Sequence, residues 1–170
     1  MAMDAFSASL MADKREIIFA PTVYKFQTFA QMAEEFKLNE RDVVLTNEFI
    51  YTPFMKELGL KCSFVFQEKF GAGEPSEAMI QTMYDAIPYD SYDRVIAVGG
   101  GAIMDLCKLL GCKRPDSVHE LYYKRFPVVH EKDVIAIPTT CGTGSECTNI
   151  SVAIVKTEID GQLTGGETKR

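Results

Sequence analysis

The sequence has no tryptophan, only two histidines (His119 and His130) and no CxxC pair among its 170 residues. Metal centres in proteins are built from clusters of His, Cys and carboxylate ligands, so these absences predict that this stretch holds no metal site of its own. The cysteines number five, and an odd count without paired spacing is typical of a reduced chain rather than a disulfide framework. We therefore expect a cytoplasmic protein.

Basic charge and long apolar runs are also lacking. The sequence has 18 Lys and Arg against 24 Asp and Glu, a formal net charge of −6, and so it lacks the basic surface with which proteins bind nucleic acid. The most apolar stretch, 95–112, is interrupted by Asp105 and Lys108 and does not predict a membrane span. The first residues show no secretory signal. We expect neither a nucleic-acid partner nor a membrane partner.

What the sequence does contain is an alternation of short apolar segments with helical patterns, repeated at least four times. This alternation predicts an α/β fold, a Rossmann-like parallel sheet with helices on both faces. Residues 1–15 have no clear period and are interpreted as an N-terminal extension, and residues 16–170 as one α/β domain. Strands are predicted at 17–20, 43–46, 62–66, 94–98, 134–137 and 150–155.

Helix starts are predicted where a hydroxyl side chain precedes an apolar face. Thr28 and Gln31 have the spacing of a capping box. Ser76 precedes a second helical pattern and predicts its N-cap. Thr52 stands directly before Pro53, which predicts a cap followed by proline at the first helical position.

Three further predictions concern the C-terminal third of the chain. Asp160–Gly161 predicts a hairpin turn. The polar, Gly-rich residues 165–170 predict a turn or a linker. Cys141 and Cys147 have no histidine near them in sequence, and we interpret both as buried, inert thiols.

The strongest local feature is the segment VIAVGGGAIMDLCK at 95–108, where a strand, three glycines and a helix follow one another directly. Glycine permits a positive φ and a close approach of the backbone to a ligand. The free N–H groups at a helix start attract an anion such as a phosphate or pyrophosphate. The spacing differs from GxGxxG, because the third glycine position holds Met104. A tight turn without a ligand is the alternative.

A second Gly-rich loop, IPTTCGTGSECT at 137–148, also follows an apolar strand. Five hydroxyl side chains and two glycines lie within residues 139–148. In a parallel sheet both loops emerge at the carboxyl edge, where open α/β sheets bind their ligands. The two loops together therefore favour a nucleotide site. The alternative is a loop whose hydroxyls only cap the following turn.

Together the two segments resemble the motifs of the iron-containing (group III) alcohol dehydrogenase family. GGGAIMDLCK at 99–108 is similar to that family's GGGSxxDxxK, and PTTCGTGSECT at 138–148 is similar to its PTTxGTGSExT. The wider segments TNEFIYTPF at 46–54 and FQEKFGAGEPSE at 66–77 are similar to its 4-hydroxybutyrate dehydrogenase branch. The similarity extends over nearly the whole chain.

The resemblance implies an N-terminal domain like that of dehydroquinate synthase, which binds NAD or NADP. In that family a helical second half supplies the ligands of a catalytic Fe²⁺ or Zn²⁺, and neither His119 nor His130 occupies a ligand motif. The resemblance therefore implies that the chain is truncated before the helical domain. It also implies that the chain holds no catalytic residue and no metal ligand, and that it is inactive by itself.

For the whole protein, the resemblance implies an NAD-dependent dehydrogenase that interconverts 4-hydroxybutyrate and succinate semialdehyde. Its partners would be a small-molecule alcohol or aldehyde and further copies of itself in a homo-oligomer. Two alternatives stay open. One is another dehydrogenase of the same family, acting on lactaldehyde or another primary alcohol, and the other is a free-standing nucleotide-binding domain without catalysis.

Motif by motif, the resemblance also assigns residues to the cofactor. Asp105 and Lys108 are interpreted as residues that orient the helix rather than as ligands. The implied cofactor-binding residues are Asn47 at the adenosine ribose; Gly100, Gly101 and Ala102 at the pyrophosphate; Thr139, Thr140 and Thr143 toward the nicotinamide; Thr148 and Val152 nearby; and Lys169 at a ribose.

Two departures from the family pattern bear on this assignment. Ala102 replaces the usual serine, which removes a hydroxyl but keeps the backbone N–H. Asn47 stands where many relatives have an aspartate that bonds the ribose and repels a 2′-phosphate. Because asparagine still bonds the ribose but repels a phosphate less, NAD is the expected cofactor and NADP is the alternative.

Overall fold

Four parallel strands form the central sheet of the computed structural model, which describes residues 21–159 and 162–169. The strands are β1 (Asp42–Thr46), β2 (Ser63–Phe66), β3 (Arg94–Gly99) and β4 (Asp133–Pro138). They are hydrogen-bonded in the order β2–β1–β3–β4, and Val44 pairs with Phe64 on one side and with Ile96 on the other. The predicted parallel sheet is confirmed.

Helical segments make the crossovers that parallel strands require. Within the described residues, no helix is both long enough and apolar enough to span a bilayer. The α-helices are α1 (Phe29–Glu35), α2 (Glu48–Phe54), α3 (Glu77–Ala86), α4 (Gly101–Gly111) and α5 (Val118–Tyr122), and 3₁₀ turns lie at Lys56–Leu58, Gln67–Lys69, Tyr89–Ser91 and Ser145–Cys147.

Helices cover both faces of the sheet. Because successive strand residues point to opposite sides, each central strand contributes side chains to two cores. In β1, Val43 and Leu45 belong to the larger core, which also contains apolar residues of α3, α4 and α5. Val44 belongs to the smaller core, together with Met32 of α1 and Ile50 of α2. A strand buried on both faces is an uninterrupted apolar run, which is why the sequence predicted this strand correctly.

Two of the three predicted helix starts are confirmed. The Thr28 hydroxyl accepts a hydrogen bond from the Gln31 N–H at 3.2 Å, and α1 begins at the next residue. The Ser76 hydroxyl accepts one from the Met79 N–H at 3.2 Å, and α3 begins at the next residue. Each cap satisfies one N–H that the first helical turn leaves without an intrahelical partner.

The third predicted helix start, at Thr52–Pro53, is wrong. The chain turns into α2 directly after β1, and the Asn47 carbonyl accepts hydrogen bonds from the N–H groups of Ile50 and Tyr51. Pro53 therefore lies near the end of the helix, where the loss of one N–H donor removes a single intrahelical bond. The short connection from the strand decides this boundary, and the Thr-Pro signal does not.

An antiparallel hairpin of β5 (Ala153–Ile159) and β6 (Gln162–Lys169) follows the central sheet in sequence. The strand predicted at 150–155 therefore begins three residues later. The predicted turn or linker at 165–170 is wrong, because residues 165–169 lie in β6. A Cβ at Gly166 would lie 2.9 Å from Cγ2 of Ile154, so glycine permits the close strand pairing here.

Three predictions fall outside the described residues. They are the N-terminal extension at 1–15, the strand at 17–20 and the turn at Asp160–Gly161. All three stay predictions.

The interpretation of Cys141 and Cys147 as buried thiols is wrong, because both are exposed. They lie in the loop after β4, which runs over the surface, and loops of this kind seldom enter a core. Cys62 and Cys107 are buried instead. Burial raises the pKa of the Cys62 thiol to about 11, and that of Cys107 is raised by complete burial. Thiols of this kind are unreactive at neutral pH.

Candidate functional site

The carboxyl ends of the four parallel strands meet at one edge of the sheet. The chain leaves β1 at Asn47, β2 at Gln67, β3 at Gly100 and β4 at Thr139. From β1 the chain moves outward to β2, whereas from β3 it moves outward on the other side to β4. The direction of winding therefore reverses between β1 and β3, and such a reversal opens a crevice in which open α/β sheets bind ligands.

A cleft of about 340 Å³ lies at this reversal. Its lining comes from the loop after β1, the loop after β2 and the first turn of α4. The lining residues are Asn47, Gln67, Glu68, Gly71, Ala72, Gly73, Gly100, Gly101, Ala102 and Ile103. The cleft thus brings together four of the residues that the sequence assigned to the cofactor, from two segments more than 50 positions apart.

Close packing, and not an unusual φ, accounts for the three glycines between β3 and α4. Gly100 has φ −85° and ψ −170°, which any residue adopts, and none of the three has a positive φ. A Cβ at Gly99 would lie 2.5 Å from Cγ1 of Ile103. Cβ atoms at Gly100 and Gly101 would lie 3.2 Å from Thr140 Oγ1 and 3.0 Å from Thr143 Cγ2. None of the three glycines takes the positive φ that glycine permits, and their close contacts are with side chains of the chain itself; a close approach to a ligand stays a prediction.

The first turn of α4 offers backbone donors to the cleft. The first intrahelical hydrogen bond runs from the Met104 N–H to the Gly100 carbonyl at 3.1 Å. The N–H groups of Gly101, Ala102 and Ile103 precede that bond, and Gly100 has no side chain to cap them. Unpaired N–H groups and the helix dipole favour an anion at this position. These residues therefore fit the pyrophosphate of a dinucleotide.

The second Gly-rich loop packs directly against the first. The Thr139 N–H donates to the Gly99 carbonyl at 2.9 Å, and Thr140 and Thr143 lie against Gly100 and Gly101 as described above. The hydroxyls of Thr140 and Thr143 are thus brought to the start of α4. Two glycines of the loop, at 142 and 144, have φ of 120° and 62°, and this left-handed backbone folds the loop back onto the helix.

Lys108 and Asp105 hold the two motifs together from behind the glycine turn. The Lys108 ammonium donates to Ser145 Oγ at 2.6 Å, to Thr148 Oγ1 at 3.2 Å and to the Ile150 carbonyl at 2.6 Å. Its fourth contact is Asp105 Oδ1, at 3.2 Å. With four oxygens around it, this ammonium is committed to the loop, as expected for a residue that orients the helix rather than one that binds a ligand.

Asp105 completes this link between α4 and the second loop. Its carboxylate accepts from the Ser145 hydroxyl at 2.5 Å and from the Val152 N–H at 3.0 Å. Asp105 is only 8% exposed, and a buried carboxylate requires such donors and a cation. The sequence analysis did not foresee that Ser145 would be the shared partner, because the two residues are 40 positions apart.

Six of the ten residues assigned to the cofactor do not line the cleft: Thr139, Thr140 and Thr143, which lie beside the glycine turn, and Thr148, Val152 and Lys169. Thr148 and Val152 are engaged with Lys108 and Asp105. Lys169 lies in β6, where its ammonium is 2.7 Å from Glu167 Oε1 and 3.9 Å from the centroid of the Tyr123 ring. The hydrogen bond with Glu167 raises the pKa of Lys169. The role of these residues at the cofactor, like that of the four that line the cleft, stays a prediction.

Glu68 is a cleft residue that the sequence analysis did not assign. It follows β2 by two positions, and its Oε1 accepts hydrogen bonds from Asn47 Nδ2 at 3.0 Å and from the Glu48 N–H at 3.2 Å. An acidic residue directly after a strand is a sequence signal for a ribose contact in nucleotide-binding α/β domains, and this signal could have identified Glu68. The strand order that makes β2 a neighbour of β1 was not evident from the sequence.

No group of three or more His, Cys, Asp or Glu side chains that could hold a metal lies within residues 21–159 and 162–169. His119 is buried, stacks on Tyr123 with 4.1 Å between ring centroids, and places Nδ1 3.3 Å from Glu77 Oε2. The backbone of His130 forms an isolated antiparallel β-bridge with the backbone of Cys112. Since the described residues do not fit a metal ion, no chemical step is derived through one.

The fold and the cleft define an open α/β domain whose cleft lies where the winding of its sheet reverses. The model of the family described as iron-containing alcohol dehydrogenase matches residues 20–164, and the chain belongs to that family. A 4-hydroxybutyrate dehydrogenase of Clostridium kluyveri is 47% identical over 137 residues, which is 81% of this chain and 37% of that protein. The chain thus spans little more than a third of the length of this relative.

Solved structures agree on the fold. A sulfoacetaldehyde reductase from Bifidobacterium kashiwanohense, in complex with NAD⁺, superposes with a TM-score of 0.58 at 21% identity over 78% of this chain and 40% of that one. An iron-containing alcohol dehydrogenase from Thermotoga maritima gives a TM-score of 0.53 at 26% identity over 71% of this chain and 35% of that one. The Rossmann-like fold expected from the sequence is thereby confirmed.

Proposed function

We propose that this chain is the cofactor-binding part of an NAD-dependent alcohol dehydrogenase that interconverts 4-hydroxybutyrate and succinate semialdehyde. The observation that carries the proposal is the cleft at the carboxyl edge, where three backbone N–H groups at the start of α4 face a space that glycines leave open. The 47% identity to a 4-hydroxybutyrate dehydrogenase supports the choice of substrate.

In this proposal the chain's own residues bind and orient NAD. The N–H groups of Gly101 and Ala102 hold the pyrophosphate, and Asn47 lies toward the adenosine end. The hydroxyls of Thr140 and Thr143, on the opposite side of the glycine turn, lie toward the nicotinamide end. NAD supplies hydride transfer when bound, while the protein fixes its position.

The domain organisation is part of the proposal. Residues 1–15 are an extension, residues 16–170 are the cofactor domain, and a helical domain beyond them binds Fe²⁺ or Zn²⁺. The whole protein is a cytoplasmic homo-oligomer that acts on a small alcohol or aldehyde. The 170-residue chain by itself binds the cofactor without catalysis.

The test is a titration of the 170-residue chain with NADH, followed by the fluorescence of the dihydronicotinamide, together with an assay for oxidation of 4-hydroxybutyrate. We expect saturable binding and no turnover. Absence of binding at millimolar NADH would contradict the cofactor role. Turnover by the chain alone would contradict the assignment of the catalytic metal to another domain.

The substrate is tested separately, on the protein at its natural length. A panel of 4-hydroxybutyrate, lactaldehyde and butanol would be compared by kcat/KM. We expect 4-hydroxybutyrate to be preferred. A preference for another alcohol would contradict the proposed substrate but would leave the proposal of an alcohol dehydrogenase intact.

A further inference from the structure

We propose that Glu68 is the residue that selects NAD over NADP in this protein. The inference rests on the proposed function and goes beyond it, because the family pattern in the sequence pointed only to Asn47 at the ribose. Asparagine has no charge with which to repel a 2′-phosphate. The structure supplies that charge from the 3₁₀ turn that follows β2.

Glu68 is the one charged side chain among the described residues that line the cleft. The rest of the lining is glycine, small or apolar side chains, two amides and the free N–H groups of α4. Those donors attract the two phosphates that NAD and NADP share. The Glu68 carboxylate repels any further phosphate. NADP differs from NAD by one additional phosphate, so this repulsion disfavours NADP alone.

The orientation of Glu68 is fixed by its neighbours. Asn47 Nδ2 and the Glu48 N–H both donate to Oε1, at 3.0 Å and 3.2 Å. Oε2 takes part in neither bond and is available to accept a hydrogen bond from a ribose hydroxyl, which NAD offers at the 2′ position and NADP does not.

Asn47 thus acquires a different role from the one its position suggested. It orients the carboxylate of Glu68 while it lines the same cleft. An aspartate at position 47 would face Glu68 Oε1 at the same distance, and two carboxylates this close do not both ionise readily. Asparagine at 47 and glutamate at 68 therefore form a matched pair.

Among the described residues that line the cleft, no cation compensates the charge of the Glu68 carboxylate. Lys69 follows Glu68 directly, but its ammonium lies over the Phe66 ring, 5.3 Å from the centroid, and Lys69 does not line the cleft. A 2′-phosphate beside Glu68 would therefore meet a carboxylate and no lining cation.

The experiment compares the affinities of the 170-residue chain for NADH and NADPH, and the changes in Glu68→Gln and Glu48→Gln. Glutamine keeps the size of the side chain and its exposed position. Glu48→Gln is the matched control, because it removes the same charge one residue after Asn47 from a side chain that does not line the cleft. Thermal unfolding of all three proteins checks that they are folded.

We expect Glu68→Gln to raise NADPH affinity relative to NADH by about tenfold or more, the effect of removing one nearby like charge. Glu48→Gln should change that ratio less than about twofold, as expected for a screened exposed charge. Equal ratios in the two variants would overturn the inference and leave the cofactor role intact. Failure of the parent chain to bind either nucleotide would overturn the proposed function and the inference with it.

Discussion

The two edges of the central sheet use their charges in opposite ways. At the amino edge, the Arg94 guanidinium pairs with both oxygens of the Asp42 carboxylate, at 2.7 Å and 2.9 Å, and Arg41 pairs with Asp93. At the carboxyl edge, the N–H groups that start α4 and the carboxylate of Glu68 line an open cleft. One edge satisfies its polar groups within the chain, whereas the other leaves them available to an outside molecule.

This difference separates stability from function. A polar group paired within the protein contributes to folding, and an unpaired one at a concave edge contributes to binding. Lys108 and Asp105 lie between these two cases, because they are paired within the chain and yet hold the loop that borders the cleft. The contrast can be tested at the amino edge, at the cleft and at this support.

The largest effect is expected at the amino edge, in Arg94→Met. Asp42 is only 2% exposed, and loss of its partner leaves a buried carboxylate without a cation. Breaking a buried pair in this way costs about 3–5 kcal/mol of unfolding free energy. Urea denaturation measures this loss of unfolding free energy.

Arg41→Met is the control, since the Arg41–Asp93 pair is largely exposed, with side chains 46% and 67% accessible. This variant should lose less than about 1 kcal/mol of unfolding free energy. Equal losses in both variants would contradict the contrast between the pairs.

At the cleft, Gly101→Val should abolish cofactor binding. A Cβ at this position already lies 3.0 Å from Thr143 Cγ2, so a branched side chain forces the two loops apart. We expect the affinity for NADH to fall at least about 100-fold, equivalent to about 2.8 kcal/mol. Ala102→Ser, which introduces the hydroxyl that relatives carry, should bind NADH as the parent chain does. If a folded Gly101→Val variant kept the NADH affinity of the parent chain, the cofactor site would have to lie outside this cleft.

Lys108→Met tests the support behind the cleft. The substitution removes the cation that contacts Asp105 and the three loop oxygens, and we expect a loss of about 2–3 kcal/mol in unfolding free energy. Because the loop at 145–150 loses its anchor, NADH affinity should also fall, by about tenfold. The exposed Lys113→Met is the control and should change neither. A stability loss with unchanged affinity would show that the loop keeps its place without Lys108.

The smallest effect is expected from alkaline pH. Burial raises the pKa of Cys62, just before β2, to about 11 and that of Tyr122, in α5, to about 12. The folded chain therefore keeps protons that the unfolded chain releases at lower pH. Stability from these groups is complete below about pH 9 and declines as the pH rises toward 12.

Urea midpoints measured at pH 8, 9.5 and 11 check this decline. Cys62→Ala should make the first part of the decline shallower, because it removes the group with the lower of the two pKa values. A midpoint that stays constant from pH 8 to 11 would contradict the protonated burial of both groups.

The strands and the motif-bearing loops could be predicted because their signals are local. Within the predicted strands 43–46 and 94–98, residues 43–45 and 95–98 are buried and apolar throughout. The hydroxyl caps at Thr28 and Ser76 act on residues three positions away, and Gly99 makes room for Ile103 four positions away. Signals of this range can be read along the chain.

Two of the three errors arose where distant packing decides the outcome. The Gly-rich residues 165–169 form a strand because β5 pairs with them. Cys141 and Cys147 are exposed because the loop that carries them lies on the surface. The third error is local: the start of α2 follows from the turn directly after β1, and Pro53 is tolerated near the helix end.

Hydrophobic period, glycine spacing and motif identity are properties of contiguous residues, and they were sufficient to predict the parallel α/β architecture, the two Gly-rich loops after β3 and β4, and the family. The hydrogen bond from Asn47 to Glu68 and the link that Ser145 makes between Asp105 and Lys108 depend on the tertiary structure instead. These contacts join segments 21 to 40 positions apart, and the strand order that brings such segments together is fixed by packing of the whole sheet.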